Sequence, residues 1–221
     1  MIKALDIFLV LLTLVVFGFG LKRRLRLYKI GKQDDRSGNM GARVKAFLTG
    51  GILHRKILQD PYPGLLHLFL FLGFLVPFVI IVIVQFKFML PSFIAKPLSL
   101  GLDIIAFFGL GAVALAFFRR YITRPSRLDN QKEDFIALAF LFLIFSTGLL
   151  MEGLRLSVIG KDIRAWAPLG RLIAFIIDAL GLNLPARGFL ALLVFRLHFF
   201  LVLGFIATIP YSKLFHIVSS S

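Results

Sequence analysis

The sequence predicts an all-α membrane protein with five transmembrane helices in a single domain covering residues 1–221. Its residues are 59% hydrophobic and its mean hydropathy is +0.91, values well above those of an ordinary soluble domain. The apolar residues form five runs, each close to the ~20 residues that a helix needs to cross about 30 Å of hydrocarbon. Basic residues cluster between these runs, as they do in the loops of proteins that cross a membrane several times.

The first run is predicted to be an uncleaved helix rather than a signal peptide. It lacks a strong basic segment before it and a small-residue cleavage site after it. Lys22, Arg23 and Arg24 follow it at once, which favours a membrane helix whose N-terminus lies outside the cell. The five predicted spans are residues 5–21, 63–88, 98–118, 133–153 and 188–212.

The distribution of Lys and Arg predicts the orientation of all five spans. Eleven basic residues separate spans one and two, and five separate spans three and four. Only Lys87 and Lys96 lie between spans two and three, and the longer connection from span four to span five carries five. The positive-inside rule therefore predicts an outside N-terminus, a cytoplasmic C-terminus and a multi-pass protein of the cell inner (cytoplasmic) membrane.

Two connections are predicted to lie along the membrane surface. Residues 43–60 alternate basic and apolar side chains, as expected of an amphipathic interfacial segment. Residues 171–184, which lie between Pro168 and Pro185, are predicted to form a short amphipathic segment at the outer surface.

Charge and cysteine content exclude several classes of function. The formal net charge of +15 would suit a nucleic-acid-binding protein, but membrane topology explains the position of the basic residues, so no nucleic-acid partner is predicted. The chain contains no cysteine. Disulfides, thiolate zinc sites and protein-held iron–sulfur clusters are therefore excluded within it, and any iron–sulfur chemistry must belong to a partner.

The four histidines are the strongest functional signal, because an ionisable side chain at membrane depth is costly and usually faces a bundle interior. His198 and His216 are 18 residues apart, five helical turns, so one helix would carry both on one face about 27 Å apart. Pro210 lies between them and weakens this argument, because proline kinks helices. His54 and His67 are separated by prolines that argue against one unbroken helix. By depth, His67 would pair with His198 and His54 with His216. Each pair would bind a b-type haem on both axial faces, giving two haems b.

Other residues support this interpretation less specifically. Arg196 lies inside the fifth span, where it needs an anion, and a haem propionate would serve. Gly73 and Gly204 would leave space for a flat macrocycle. Two alternatives stay open: a proton- or ion-conducting transporter subunit, for which Asp103 is the candidate acidic group within a span, and a membrane anchor without a cofactor.

The chain resembles the membrane cytochrome b (gamma) subunit of respiratory nitrate reductase and its relatives. These include the membrane parts of heterodisulfide reductase, of sulfite-reduction-associated complexes and of flavoprotein-linked iron–sulfur oxidoreductases. The resemblance lies in the five-helix plan, in HRKILQDPYPGLLH from His54 to His67, and in RLHFFLVLGFIATIPYSKLFH, which ends at His216.

This resemblance implies a di-haem b subunit that transfers electrons between membrane quinone, such as menaquinone, and a cytoplasmic iron–sulfur oxidoreductase. It would be an electron-transfer subunit rather than a catalyst alone. It also implies that His67 and His198 bind the outer haem, that His54 and His216 bind the cytoplasmic-side haem, and that Lys87 is linked to quinone. The wider, proline-containing gap between His54 and His67 departs from the nitrate reductase subunit and places the chain nearer the flavoprotein-linked branch.

Overall fold

The computed structural model describes residues 4–31, 38–52, 55, 57–85, 92–126, 128–158 and 164–219. These residues form helices joined by short connections, and they contain no strand. Five of the helices are long and apolar enough to cross a membrane. The α-helices are α1 (Ala4–Tyr28), α2 (Met40–Ala46), α3 (Pro61–Gln85), α4 (Ser92–Phe117), α5 (Lys132–Val158), α6 (Pro168–Ala179), α7 (Leu184–Thr208) and the single turn α8 (His216–Ser219).

Short turns of tighter or wider helix extend several of these elements. A π-helical turn, Phe47–Ile52, follows α2, and another, Phe118–Thr123, extends α4. The 3-10 turns are Ile57–Gln59 before α3, Arg164–Trp166 before α6, and Ile209–Tyr211 and Lys213–Phe215 after α7.

Helix α5 is the centre of the bundle, since it packs against α4, α6 and α7. Helix α3 packs against α4, and α1 packs against α7. The main core forms where α4, α5 and α7 meet and contains Val113, Leu141, Ile144, Phe145 and Phe205. A smaller core of Leu154, Ile177 and Val194 joins α5, α6 and α7.

Gly73, which was predicted to leave space for a macrocycle, instead allows close packing of helices. A Cβ added to Gly73 would lie 2.6 Å from Cζ of Phe145, and one on Gly109 would lie 2.9 Å from the same atom. The ring of Phe145 therefore occupies the space between α3 and α4 that the sequence interpretation reserved for a macrocycle. Small residues in membrane helices commonly allow such close approach.

Helix α1 is joined to the end of α7 by polar contacts as well as by packing. Nε of Arg24 donates to the Pro210 carbonyl oxygen at 2.9 Å, and the Tyr211 hydroxyl donates to the Val16 carbonyl oxygen at 2.8 Å. Gly20 faces Pro210 so closely that a Cβ would lie 2.6 Å from the proline Cβ. These contacts fix α1 at the edge of the bundle.

Helix α6 is held at its N-terminus by the buried carboxylate of Asp103. This carboxylate accepts the backbone N–H groups of Leu169 at 2.7 Å and of Gly170 at 3.0 Å. The first N–H groups of a helix lack partners within the helix, and they carry the positive end of its dipole. Asp103 is 3% exposed, so the sequence candidate for a transport carboxylate is a helix cap that ties α6 to α4.

Candidate functional site

His198 lies in the middle of α7, where a side chain of α5 sets its orientation. Thr147 Oγ1 lies 2.9 Å from His198 Nδ1 and 2.6 Å from the Leu143 carbonyl oxygen. A hydroxyl has one proton, and the shorter contact to a carbonyl takes it. Thr147 therefore accepts a hydrogen bond from Nδ1–H of His198, an assignment inferred from the network as proton positions in proteins usually are.

This hydrogen bond selects the tautomer that a metal ligand needs. With the proton on Nδ1, the lone pair of the neutral imidazole is on Nε2. A ligating histidine usually donates its other ring nitrogen to an oxygen in this way, which fixes the ring and raises its basicity. Thr147 was named by neither the spacing nor the resemblance as a partner of His198, because residues on different helices meet only in the folded bundle.

His216 has the same tautomer for a different reason. Its Nδ1 lies 2.8 Å from the carbonyl oxygen of Lys213, which can only accept, so Nδ1 carries the proton and Nε2 the lone pair. The chain reaches this position through a break after α7: Ser212 is extended, with φ −119° and ψ −180°, and its hydroxyl accepts from the N–H of Leu214. The 18-residue spacing had predicted one continuous helix carrying both His198 and His216, and this prediction is wrong.

The ring of His216 lies beside the ring of His67 on α3. Their centres are 5.9 Å apart and their planes meet at 49°, while Nδ1 of His67 is buried. Two imidazoles on opposite sides of one metal ion would have ring centres about 6 Å apart, given metal–nitrogen bonds of about 2 Å. The separation thus suits a shared axial pair.

This neighbourhood differs from the predicted pairing by depth. Gly73 of α3 packs beside Phe145 of α5, and His198 contacts Thr147, two residues farther along α5. His198 is therefore level with about residue 75 of α3, eight residues or about 12 Å beyond His67. The structure brings His67 to His216 rather than to His198.

Two of the predicted site residues, His54 and Lys87, lie outside the described residues. Their assignment to the cytoplasmic-side haem and to quinone stays a prediction. Among the residues that are described, no group of three or more His, Asp or Glu side chains is arranged to hold a metal ion. A pair of histidines from two helices is what a haem requires.

Arg196 has an anionic partner that the sequence interpretation missed. Its guanidinium forms an ion pair with the carboxylate of Asp6 on α1, and the Asp6 side chain is 8% exposed. The signal was present, since an acidic residue in the first turn of an apolar helix is as costly in lipid as the arginine. The predicted contact of Arg196 with a haem propionate stays a prediction.

Two curated proteins are similar to the chain over nearly its whole length. The chain is 28% identical over 232 residues to an EtfAB:quinone oxidoreductase of Syntrophomonas wolfei, covering 96% of this chain and 32% of that protein. It is 28% identical over 219 residues to the Bacillus subtilis protein "Probable iron-sulfur-binding oxidoreductase FadF", covering 92% of this chain and 30% of that protein.

No family model matches the chain, and no solved structure matches it significantly. The chain spans about a third of the length of the curated relatives it matches. Both relatives are named as oxidoreductases. Where the structure describes it, the chain is helical, with five helices long and apolar enough to cross a membrane, and it is similar to about one third of each of these two larger proteins.

Proposed function

We propose that the chain is a membrane cytochrome b unit that passes electrons between membrane quinone and a cytoplasmic iron–sulfur oxidoreductase. The observation that carries the proposal is the tautomer of two imidazole rings. His198 and His216 each have Nδ1 held by an oxygen, which leaves the lone pair on Nε2. Ligating histidines usually donate their other ring nitrogen to an oxygen in this way, and this supports ligation of haem iron by both residues.

His67 and His216 would hold one haem b at the end of the bundle that carries the basic loops. Their 5.9 Å separation fits one axial pair. A haem with two axial histidines supplies one-electron transfer and leaves no open iron position for small-molecule activation. The protein supplies ligation, orientation and a low-dielectric surrounding.

His198 would ligate a second haem deeper in the bundle, as the two-haem prediction requires. With His67 and His216 on one haem, the remaining histidine is His54, so the proposal assigns the deeper haem one axial ligand, His198. It lies on α7 between the His67–His216 pair and the opposite end of the bundle. The Lys213 carbonyl at His216 and the Thr147 hydroxyl at His198 differ in acceptor strength and surroundings. Hydrogen bonds of this kind tune the potential of a ligated haem.

The partner is proposed to dock on the basic end of the bundle. The positive-inside pattern predicts that this end is cytoplasmic, and a chain without cysteine cannot itself hold an iron–sulfur cluster through thiolates. The relatives' names mention a quinone and iron–sulfur binding, respectively, and these are the two redox partners that we propose for this chain.

The test uses the full chain purified from membranes in detergent and supplied with haem during expression. We expect a low-spin b-type visible spectrum, two haems per chain, and reduction of the haem by an added quinol. A colourless protein would favour the membrane-anchor alternative. A haem-containing protein that dithionite reduces but quinols do not would contradict the quinone half of the proposal.

A further inference from the structure

A cavity of about 400 Å³ lies between α5 and α7, in the half of the bundle away from the basic loops. Its size falls within the range of small-molecule sites. Gly148, Met151, Ala191 and Phe195 form its apolar walls, and Glu152 and Arg155 supply its polar groups. The small residues Gly148 and Ala191 leave room between the two helices.

The charged groups of the cavity balance one another, because Glu152 and Arg155 form an ion pair. Glu152 accepts from Arg155 through both carboxylate oxygens, at 2.8 Å from Nε and 2.5 Å from Nη2. The Ser99 hydroxyl of α4 donates to Glu152 at 3.2 Å. The side chains of Glu152 and Arg155 remain 26% and 40% exposed, so a molecule in the cavity can reach both.

This charge balance selects the kind of ligand. The carboxylate of Glu152 would repel the phosphate of a lipid headgroup, whereas a neutral molecule meets no net charge. Arginine has five N–H donors and the carboxylate about four acceptor sites. After their mutual contacts, Arg155 can still donate to a carbonyl oxygen and Glu152 can still accept from a hydroxyl.

We propose that this cavity binds the ring of a membrane quinone or quinol between α5 and α7, with Arg155 donating to its carbonyl and Glu152 accepting from its hydroxyl. A quinone is neutral and apolar with two ring oxygens, as the walls and the ion pair require. The proposal rests on the proposed function for the substrate class. It assigns the site to residues distant in sequence from Lys87, the residue that the resemblance implied.

The cavity borders the deeper of the two imidazoles. A Cβ added to Gly148 would lie 3.3 Å from Cε1 of His198, so one glycine backbone separates the cavity from that ring. Glycine at this position lets the quinone ring approach the imidazole edge closely. A quinone bound here would lie beside the residue proposed to ligate the deeper haem.

The test is photolabelling of the full chain in membranes with an azido-substituted quinone, followed by mass spectrometric mapping of the labelled residues. We expect label within residues 148–158 and 188–195, displaced by excess unlabelled quinone. Gly188 also lines the cavity, and a Cβ there meets nothing within 4 Å. Gly188→Leu should therefore fill the cavity without a clash and reduce labelling at least tenfold.

Gly111→Leu is the matched control, because Gly111 lies in α4 away from the cavity and a Cβ there also meets nothing within 4 Å. It should label like the wild type. Competed label elsewhere, for example around Lys87, would overturn this site and leave the proposed function standing. No competed label anywhere would overturn both the site and the quinone half of the proposed function.

Discussion

The middle of α7 and the segment that follows it present imidazoles in different ways. At the basic end, the Lys213 carbonyl of the same short turn holds the ring of His216, beside His67 of α3. In the middle of the bundle, Thr147 of a neighbouring helix holds His198. The orientation of His216 thus depends on a local break in one chain segment, whereas that of His198 depends on how two helices pack.

The largest expected effect is the loss of haem when a proposed histidine ligand is replaced, and it should differ between the basic end and the middle of the bundle. His67→Ala and His216→Ala should each remove the same haem, because the two rings are proposed to share one iron, and the double variant should lose no more than either single one. His198→Ala should remove a different haem. Haem per chain and the reduced spectrum measure this outcome. Loss of one spectral component in both His67→Ala and His198→Ala would restore the pairing by depth.

A second prediction concerns the ion pair between α1 and α7. Arg196→Met should leave the buried Asp6 carboxylate without its ion-pair partner, a change that typically costs about 3–5 kcal/mol. Thermal unfolding in detergent should show this loss. Adding Asp6→Asn should recover most of it, since the double variant buries no charge.

The same double variant tests the predicted propionate role of Arg196. If Asp6 is the principal partner of Arg196, the variant should bind haem as the wild type does. Restored stability with lost haem binding would show that Arg196 serves the cofactor instead.

A third prediction concerns the cap of α6. Asp103→Ala should destabilise the protein by about 2 kcal/mol, because it removes a helix cap and leaves buried N–H groups without an acceptor. Asn183→Ala is the control: Asn183 caps the exposed start of α7 through the N–H of Ala186 at 2.9 Å, and its loss should cost about 1 kcal/mol or less. An equal loss of stability in the two variants would mean that burial of Asp103 does not strengthen its contribution as a helix cap.

The smallest expected effect is at the hydroxyl that orients His198. Thr147→Val keeps the shape but removes a hydrogen bond worth about 1 kcal/mol. Only the difference in its strength between the oxidised and reduced haem shifts the one-electron potential of the deeper haem, so the shift should be at most about 40 mV. Thr13→Val is the matched control, since the Thr13 hydroxyl donates to the Leu9 carbonyl at 2.9 Å on α1, as the Thr147 hydroxyl does to the Leu143 carbonyl. Redox titration of both variants should show the shift only for Thr147→Val.

The sequence was sufficient for the helical class and for five apolar helices, because the length and hydropathy of each run determine whether it can span a bilayer. It was not sufficient for contacts between spans. The pairing of His67 with His216 follows from the end of α7 at Thr208 and the extended backbone of Ser212. Pro210, between the two histidines, indicated a kink, but the spacing of 18 residues did not show that α7 ends before it.

The sequence also could not predict which groups the buried acidic side chains of the apolar helices would contact. Asp6 lies 190 residues from Arg196, and Asp103 lies more than 60 residues from the α6 N–H groups that it accepts. Both acidic residues are visible in the sequence as unusual within apolar runs. Only the arrangement of the helices shows that one forms an ion pair and the other caps a helix.

The most direct test of the central claim is near-infrared magnetic circular dichroism of the oxidised, haem-loaded chain, since its charge-transfer bands identify the axial ligands of a low-spin ferric haem. The account predicts bands of two neutral histidines, weakened by both His67→Ala and His216→Ala. The absence of bands of a histidine pair, or a spectrum unchanged in those two variants, would contradict it.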